Sequence, residues 1–256
     1  ERFHSIRKLM RRMAKVRLAG IGLAIIVTML VVPLFVEVIA PYDPVKQDLM
    51  GNLQGPSMQH VLGTDELGRD VLSRVMHASR YSLIVGIASI LAASVVGVCL
   101  GLVAGFRLGL TDTLLQMGFD AMLSFPPLVL AMGITAALKP SLTNVAIALA
   151  IVYMPRFARL ARGSTLATRE MEFVVAARLI GAPDVRIMLR HVLPNIAAPL
   201  IVQVSLSVGF AILIEASLSF LGLGVQPPIP TWGNMLQAGY GYIQLIPLLS
   251  VAPGLA

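Results

Sequence analysis

From Ser82 to Phe106 the chain runs for 25 residues without one charged side chain. Coiled into a helix at about 1.5 Å per residue, that run measures roughly 37 Å, enough to cross a hydrocarbon layer of about 30 Å with tilt. Water cannot be its solvent. Across the chain 57% of residues are apolar and 13% charged, whereas an average soluble domain has about 25% charged. The apolar residues are gathered into uninterrupted runs rather than amphipathic stripes, so lipid must cover them. Five further runs follow the same rule: Leu18 to Val36, Thr113 to Leu138, Leu142 to Pro155, Ile196 to Ile214, and Gly239 to the last residue. The expected fold is an all-α membrane protein of six transmembrane helices, the sixth truncated.

The run from Leu142 is short, and it spans only if its helix continues through Arg156 and Arg159, whose long side chains can reach back to the headgroups. The first run could be a signal peptide. It is long, lacks a small-x-small cleavage site and leads into Pro41-Tyr-Asp-Pro44, so a retained anchor fits it better. The expected organisation is a basic N-terminal segment over 1–17, a first helix over 18–39, an external loop over 40–81, and the remaining spans over 82–256 with a polar loop at 162–195.

Orientation follows from Lys and Arg near helix ends. Arg2, Arg7, Lys8, Arg11, Arg12, Lys15 and Arg17 precede the first helix, which puts the N-terminus in the cytoplasm. Counting crossings then places Glu37 to Arg80 outside, Arg156 to Arg190 inside and residues 222–238 outside, so a second basic cluster also falls on the cytoplasmic side. Topology and anionic lipid headgroups thus account for the net charge of +7, and no nucleic-acid partner is expected. Cys99 is alone within a span, and His4, His60, His77 and His191 are scattered, so no metal site is expected. The chain carries no phosphate-binding glycine loop or nucleophile elbow. It reads as a non-enzyme with no cofactor of its own, driven by a partner.

The most informative polar segment is 171–195. Residues 171–180 have a helical pattern rich in Ala and Leu, ended by Gly181, which suits the left-handed position after a helix. A second short helix restarts at Pro183. Asp184 favours its positive end, and Arg190 and His191 its negative end. At helical spacing Val174, Ala177 and Arg178 share a face, as do Ile187, Arg190 and His191, so both helices offer apolar and basic groups to a partner. A helix pair lying on lipid headgroups is the competing reading.

This segment resembles the cytoplasmic "EAA" loop of the permease subunits of ATP-driven ABC importers: Glu-Ala-Ala, three residues, Gly, then about nine residues to Ile/Val-x-Leu-Pro. The matching positions are Ala176, Ala177, Gly181, Leu193 and Pro194. Val175 stands in place of the Glu, with Glu172 one turn away. The resemblance implies a coupling helix docked on a cytoplasmic ATPase, with Gly181 setting the bend and Glu172, Arg178, Asp184, Arg186, Arg190 and His191 supplying polar contacts.

Two other stretches are similar to permeases for dipeptides, oligopeptides, nickel and glutathione: Leu62-Gly-Thr-Asp-Glu-Leu-Gly-Arg-Asp-Val-Leu-Ser-Arg74, and Glu215-Ala-Ser-Leu-Ser-Phe-Leu-Gly-Leu-Gly-Val-Gln-Pro-Pro228 followed by Thr231-Trp-Gly-Asn-Met235. With the N-terminal part, the resemblance covers nearly the whole chain and points to the C-type subunit. It implies a second, homologous permease as heterodimer partner, two ATPases carrying ATP and Mg, and an extracytoplasmic solute-binding protein. Asp65, Arg69, Asp70 and Trp232 are candidate external contacts, although for the first three an Asp-capped turn is the favoured reading from local structure. Glu215, near the end of an apolar span, is a candidate for gating or the translocation path, with Ser217 and Ser219 beside it. Asp120 carries the same logic, and Pro126 and Pro127 predict a kink nearby. The reading from another class is a self-sufficient channel or secondary transporter. Absent inverted repeats and few mid-membrane charges argue against it.

Overall fold

The computed structural model describes residues 17–256. The basic residues from Arg2 to Lys15, on which part of the expected orientation rests, lie outside the described residues. The described chain is helical, with one isolated bridge between Thr64 and Asp70 and no strand. In chain order the helices are α1 (Arg17–Ile39), α2 (Val71–Arg107), α3 (Gly109–Leu123), α4 (Pro127–Leu138), α5 (Leu142–Thr168), α6 (Glu172–Leu179), α7 (Asp184–Ile187), α8 (Leu193–Phe220), α9 (Trp232–Tyr240) and α10 (Leu248–Leu255).

Three helices form the centre: α2, α5 and α8. Gly97, Gly101 and Gly105 recur every fourth residue on α2, and a Cβ at any of them would collide with the backbone of α5 at Met154, Ala158 or Arg162. These absent side chains let the two helices touch backbone to backbone, the geometry that small residues at four-residue spacing permit in lipid. Residues 97, 101 and 105 meet 154, 158 and 162 in the same order, so α2 and α5 run in one direction. The pair α3–α4 therefore carries the chain back between them.

Apolar burial falls into three layers. At one end Leu102 and Phe106 pack with Val174, Ala177, Ile187, Met188, Val192 and Ile196. In the middle Val85, Ile90 and Ala93 meet Leu149, Tyr153, Phe157, Ala211 and Leu218. At the other end Val71 and Ala78 pack with Trp232, Met235 and Leu249. The α8 helix thus runs against α2, from the loop at 169–192 to the loop at 221–231.

The α5 helix does continue past Pro155 and both arginines, for 27 residues. Other expectations need correction. The run Thr113 to Leu138 is two helices meeting at 94°. Proline disfavours helical backbone in the residue before it, so Pro127 drives Pro126 to extended angles (φ −56°, ψ 133°) and starts α4 afresh. The run from Gly239 is no single helix either, because the end of α9, a chain of turns around Pro247 and the eight-residue α10 occupy it. Among the described residues four helices are long and apolar enough to span, or five if α3–α4 counts as one, in place of the expected six.

Candidate functional site

The segment 169–193 closes one end of the bundle. Helix α6 ends where Gly181 takes φ +78°: its N–H donates to Arg178 O at 3.0 Å and the Ala182 N–H to Ala177 O at 3.1 Å. These two bonds satisfy carbonyls that a helix end leaves orphaned and turn the chain sharply, as a left-handed glycine allows. Pro183 then caps α7, and Asp184 is its first residue, where a negative charge meets the positive helix end. The second helix does not stop at His191. A π turn over Met188–Val192 joins it to α8, so Asp184 to Phe220 is one helix of 37 residues. Arg190 and His191 therefore lie inside a helix and not at its negative end, contrary to expectation, because the extra residue of the π turn lets the chain continue.

The inner and outer faces of this segment differ. Val174, Ala177, Ile187, Met188 and Val192 are buried against α2 and α5. Ala177 and Val174 are thus anchors, not groups open to a partner, because the turn at Gly181 folds both helices inward on that face. Leu179 at 83% and Ile180 at 85% are exposed, as are Val185, Leu189, Glu172, Ala176, Asp184, Arg186, Arg190 and Pro194. His191 is half-buried. Arg178 is exposed and lays its guanidinium over the Phe106 ring, 5.3 Å from the centroid. Exposed apolar side chains and charges of both signs thus share this outer face.

Arginines of α5 brace the layer behind it. Arg162 grips Asp112 of α3 with two hydrogen bonds at 2.5 and 2.6 Å, and Arg159 pairs with Asp120. Arg169 donates to Gly105 O and Phe106 O, closing the end of α2. Asp112, Arg159 and Arg162 were not candidate site residues by sequence, since their partners lie 39 and 50 positions away. Asp120 is exposed and paired on this brace.

The opposite end handles its charges differently. Asp65 Oδ1 accepts from the backbone N–H of Leu67 and Arg69, both at 2.9 Å, and Asp65 Oδ2 accepts from Arg69 Nε at 2.7 Å. Arg74 Nε lies 3.4 Å from the same Oδ2 and its Nη1 donates to Pro44 O. Asp70 caps α2 through Ser73 and holds His60 Nδ1 at 2.9 Å. Asp65, Arg69 and Asp70 are all buried, and Trp232 is buried too, its indole N–H donating to Val75 O. The capped turn is therefore their observed role. Glu66, Arg69 and Arg74 also line a cavity of about 180 Å³ with Ser219, Gln226, Asn234 and Gln237. Ser219 donates to Glu215 at 2.8 Å, whereas Ser217, half-buried, bonds Leu213 O and borders an apolar groove. The structure brings Glu215 and Ser219 together and leaves Ser217 and Asp120 apart from them. Among the described residues no three His, Cys, Asp or Glu side chains converge as metal ligands.

Residues 97–256, which include the loop, the central helices α5 and α8 and the end of α2, match the family described as the inner-membrane component of binding-protein-dependent transport systems. The chain belongs to this family. Residues 6–56 match a second family, the N-terminal transmembrane domain of oligopeptide transport permease C. A dipeptide transport system permease protein of Alkalihalophilus pseudofirmus is 42% identical over 248 residues, covering 97% of this chain and 82% of the relative. A di/tripeptide permease of Pseudomonas aeruginosa is 44% identical over 240 residues (91% and 79%), and a glutathione permease of Pectobacterium atrosepticum is 36% identical over 251 (98% and 83%). This chain is accordingly a multi-pass inner-membrane permease subunit of an ABC importer, working with ATPase and solute-binding partners. Neither matched family describes an enzyme.

Proposed function

We propose that this permease forms one half of a translocation path for di- or oligopeptides and converts closure of two cytoplasmic ATPases, which hold the ATP and Mg, into movement of its helices. The observation that carries the reading is the exposed ridge of Leu179, Ile180, Val185 and Leu189 on a loop whose inner face is locked to the bundle. Such a surface can receive a push, and the 37-residue helix that begins at Asp184 can transmit it. Allosteric coupling needs a link of this discrete kind. The loop then faces the cytoplasm together with the N-terminus. A homologous permease completes the path as a heterodimer, and the solute-binding protein delivers cargo at the end formed by residues 40–70 and 221–231. Glutathione is the second reading for the cargo, since one relative is a glutathione permease.

Gly181→Asp tests the coupling. Nothing lies within 4 Å of a Cβ at this position, and Asp tolerates left-handed backbone better than most residues, so the fold persists. The expected outcome is normal membrane insertion with ATP hydrolysis no longer linked to transport. Undiminished peptide uptake by this variant would refute the assignment.

A further inference from the structure

Glu215 lies in the α8 span with no exposed surface. One carboxyl oxygen, Oε1, accepts from Ser219 Oγ at 2.8 Å; the other, Oε2, is buried without a partner. On α2, one turn from where Gly86 packs on Ile212 of α8, Ser82 Oγ is also buried without a partner. No ion pair among the described residues includes Glu215.

The seam is tight. One turn along α2, a Cβ on Gly86 would come within 2.7 Å of Ile212 Cγ1 on α8, and on α9 a Cβ on Gly233 would overlap Ala216 O. An ionised carboxylate in such a place, without a counter-charge, costs several kcal/mol. A neutral carboxylic acid does not, because its O–H can donate to Ser82 Oγ while its carbonyl oxygen accepts from Ser219. Ser82 Oγ could serve either form as a partner, so what favours the acid is that it carries no charge into a place without a cation.

We propose that Glu215 is a neutral acid that clamps α8 to α2 at the far end of the coupling helix. The helix from Asp184 to Phe220 is about 55 Å long at about 1.5 Å per residue, so a push at the exposed loop reaches the opposite end only if that end is fastened. Glu215 is then a positioning residue, resting on the reading of 171–193 as the ATPase contact. It holds the wall of the 180 Å³ cavity in place through Ser219 and does not itself line it.

The test uses the assembled importer in proteoliposomes, with Glu215→Gln, Glu215→Ala and infrared spectra of the parent and Gln forms. Gln keeps a donor and an acceptor in nearly the same volume, so transport by E215Q stays within about twofold of the parent, whereas E215A strands two hydroxyls and loses about tenfold or more. The parent shows a protonated-carboxyl stretch at neutral pH that E215Q lacks. Loss of transport in E215Q as deep as in E215A would overturn the proposal, since it would mean that charge is required. Absence of that infrared band would overturn it regardless of transport, and the spectrum remains readable if E215A fails to assemble. Failure of the coupling reading looks different: Gly181→Asp would be harmless while the infrared band stayed.

Discussion

The two ends of the bundle are built from the same materials and put them to opposite uses. Each carries a glycine at positive φ, a set of arginines and acids, and the start of a long helix. In the turn at 65–74 Asp65, Arg69, Asp70 and Arg74 turn inward, where Asp65 gathers two backbone N–H groups and two guanidinium groups. At the end formed by 171–193 the charges of Glu172, Asp184, Arg186 and Arg190 turn outward around exposed Leu179 and Ile180. Inward charges set a shape, and outward charges around an apolar ridge offer one. The proposed function accordingly treats the first region as scaffold and the second as a surface for a partner.

The two glycines give the largest contrast. A Cβ on Gly68 would overlap the Asp48 backbone, whereas one on Gly181 would meet nothing within 4 Å. Gly68→Ala should therefore abolish accumulation of folded protein in the membrane, and Gly181→Ala should cost only about 1 kcal/mol of left-handed strain. Size-exclusion profiles of the two variants after heating in detergent check this, and equal behaviour would break the comparison.

The acids give a smaller one. Asp65→Ala removes the carboxylate that two buried arginines share and leaves Glu66 as the acid paired with Arg69, a loss of about 3–5 kcal/mol for a buried pair broken from one side. Asp184→Ala removes an exposed first-turn acid and should barely shift the melting midpoint, while weakening the ATPase contact. Melting curves and co-purification of the ATPases separate the two effects. A large stability loss from Asp184→Ala would mean that the loop is scaffold as well.

Much of the fold is legible in the sequence because lipid demands long apolar runs, and α1, α2, α5 and α8 follow from that demand alone. The continuation of α5 through Arg156 and Arg159 is legible for the same reason. The break between α3 and α4 is signalled by Pro126 and Pro127, but a right-angle turn rather than a kink depends on how α3 docks, through Asp112 and Asp120, on α5. The spacing of Gly97, Gly101 and Gly105 is a signal for close helix approach that the reading of the runs passed over. At the coupling loop Gly181 is legible, since left-handed backbone after a helix selects glycine. The fate of Arg190 and His191 is not, because a π turn leaves no compositional mark. Nor can local sequence tell whether Asp65, Arg69 and Asp70 face a partner or one another, since partner choice among charges is a tertiary matter.

The most direct test of the central claim is a cross-link from the ridge. Cys99 is exposed, so it is replaced by Ala first, and a single cysteine is placed at Ile180 in the assembled importer in membrane vesicles. A short thiol-reactive cross-linker should join this position to an ATPase subunit, with a yield that changes when ATP is added. Cross-linking to no ATPase, with the complex otherwise intact, would contradict the account and return the loop to a helix pair lying on lipid.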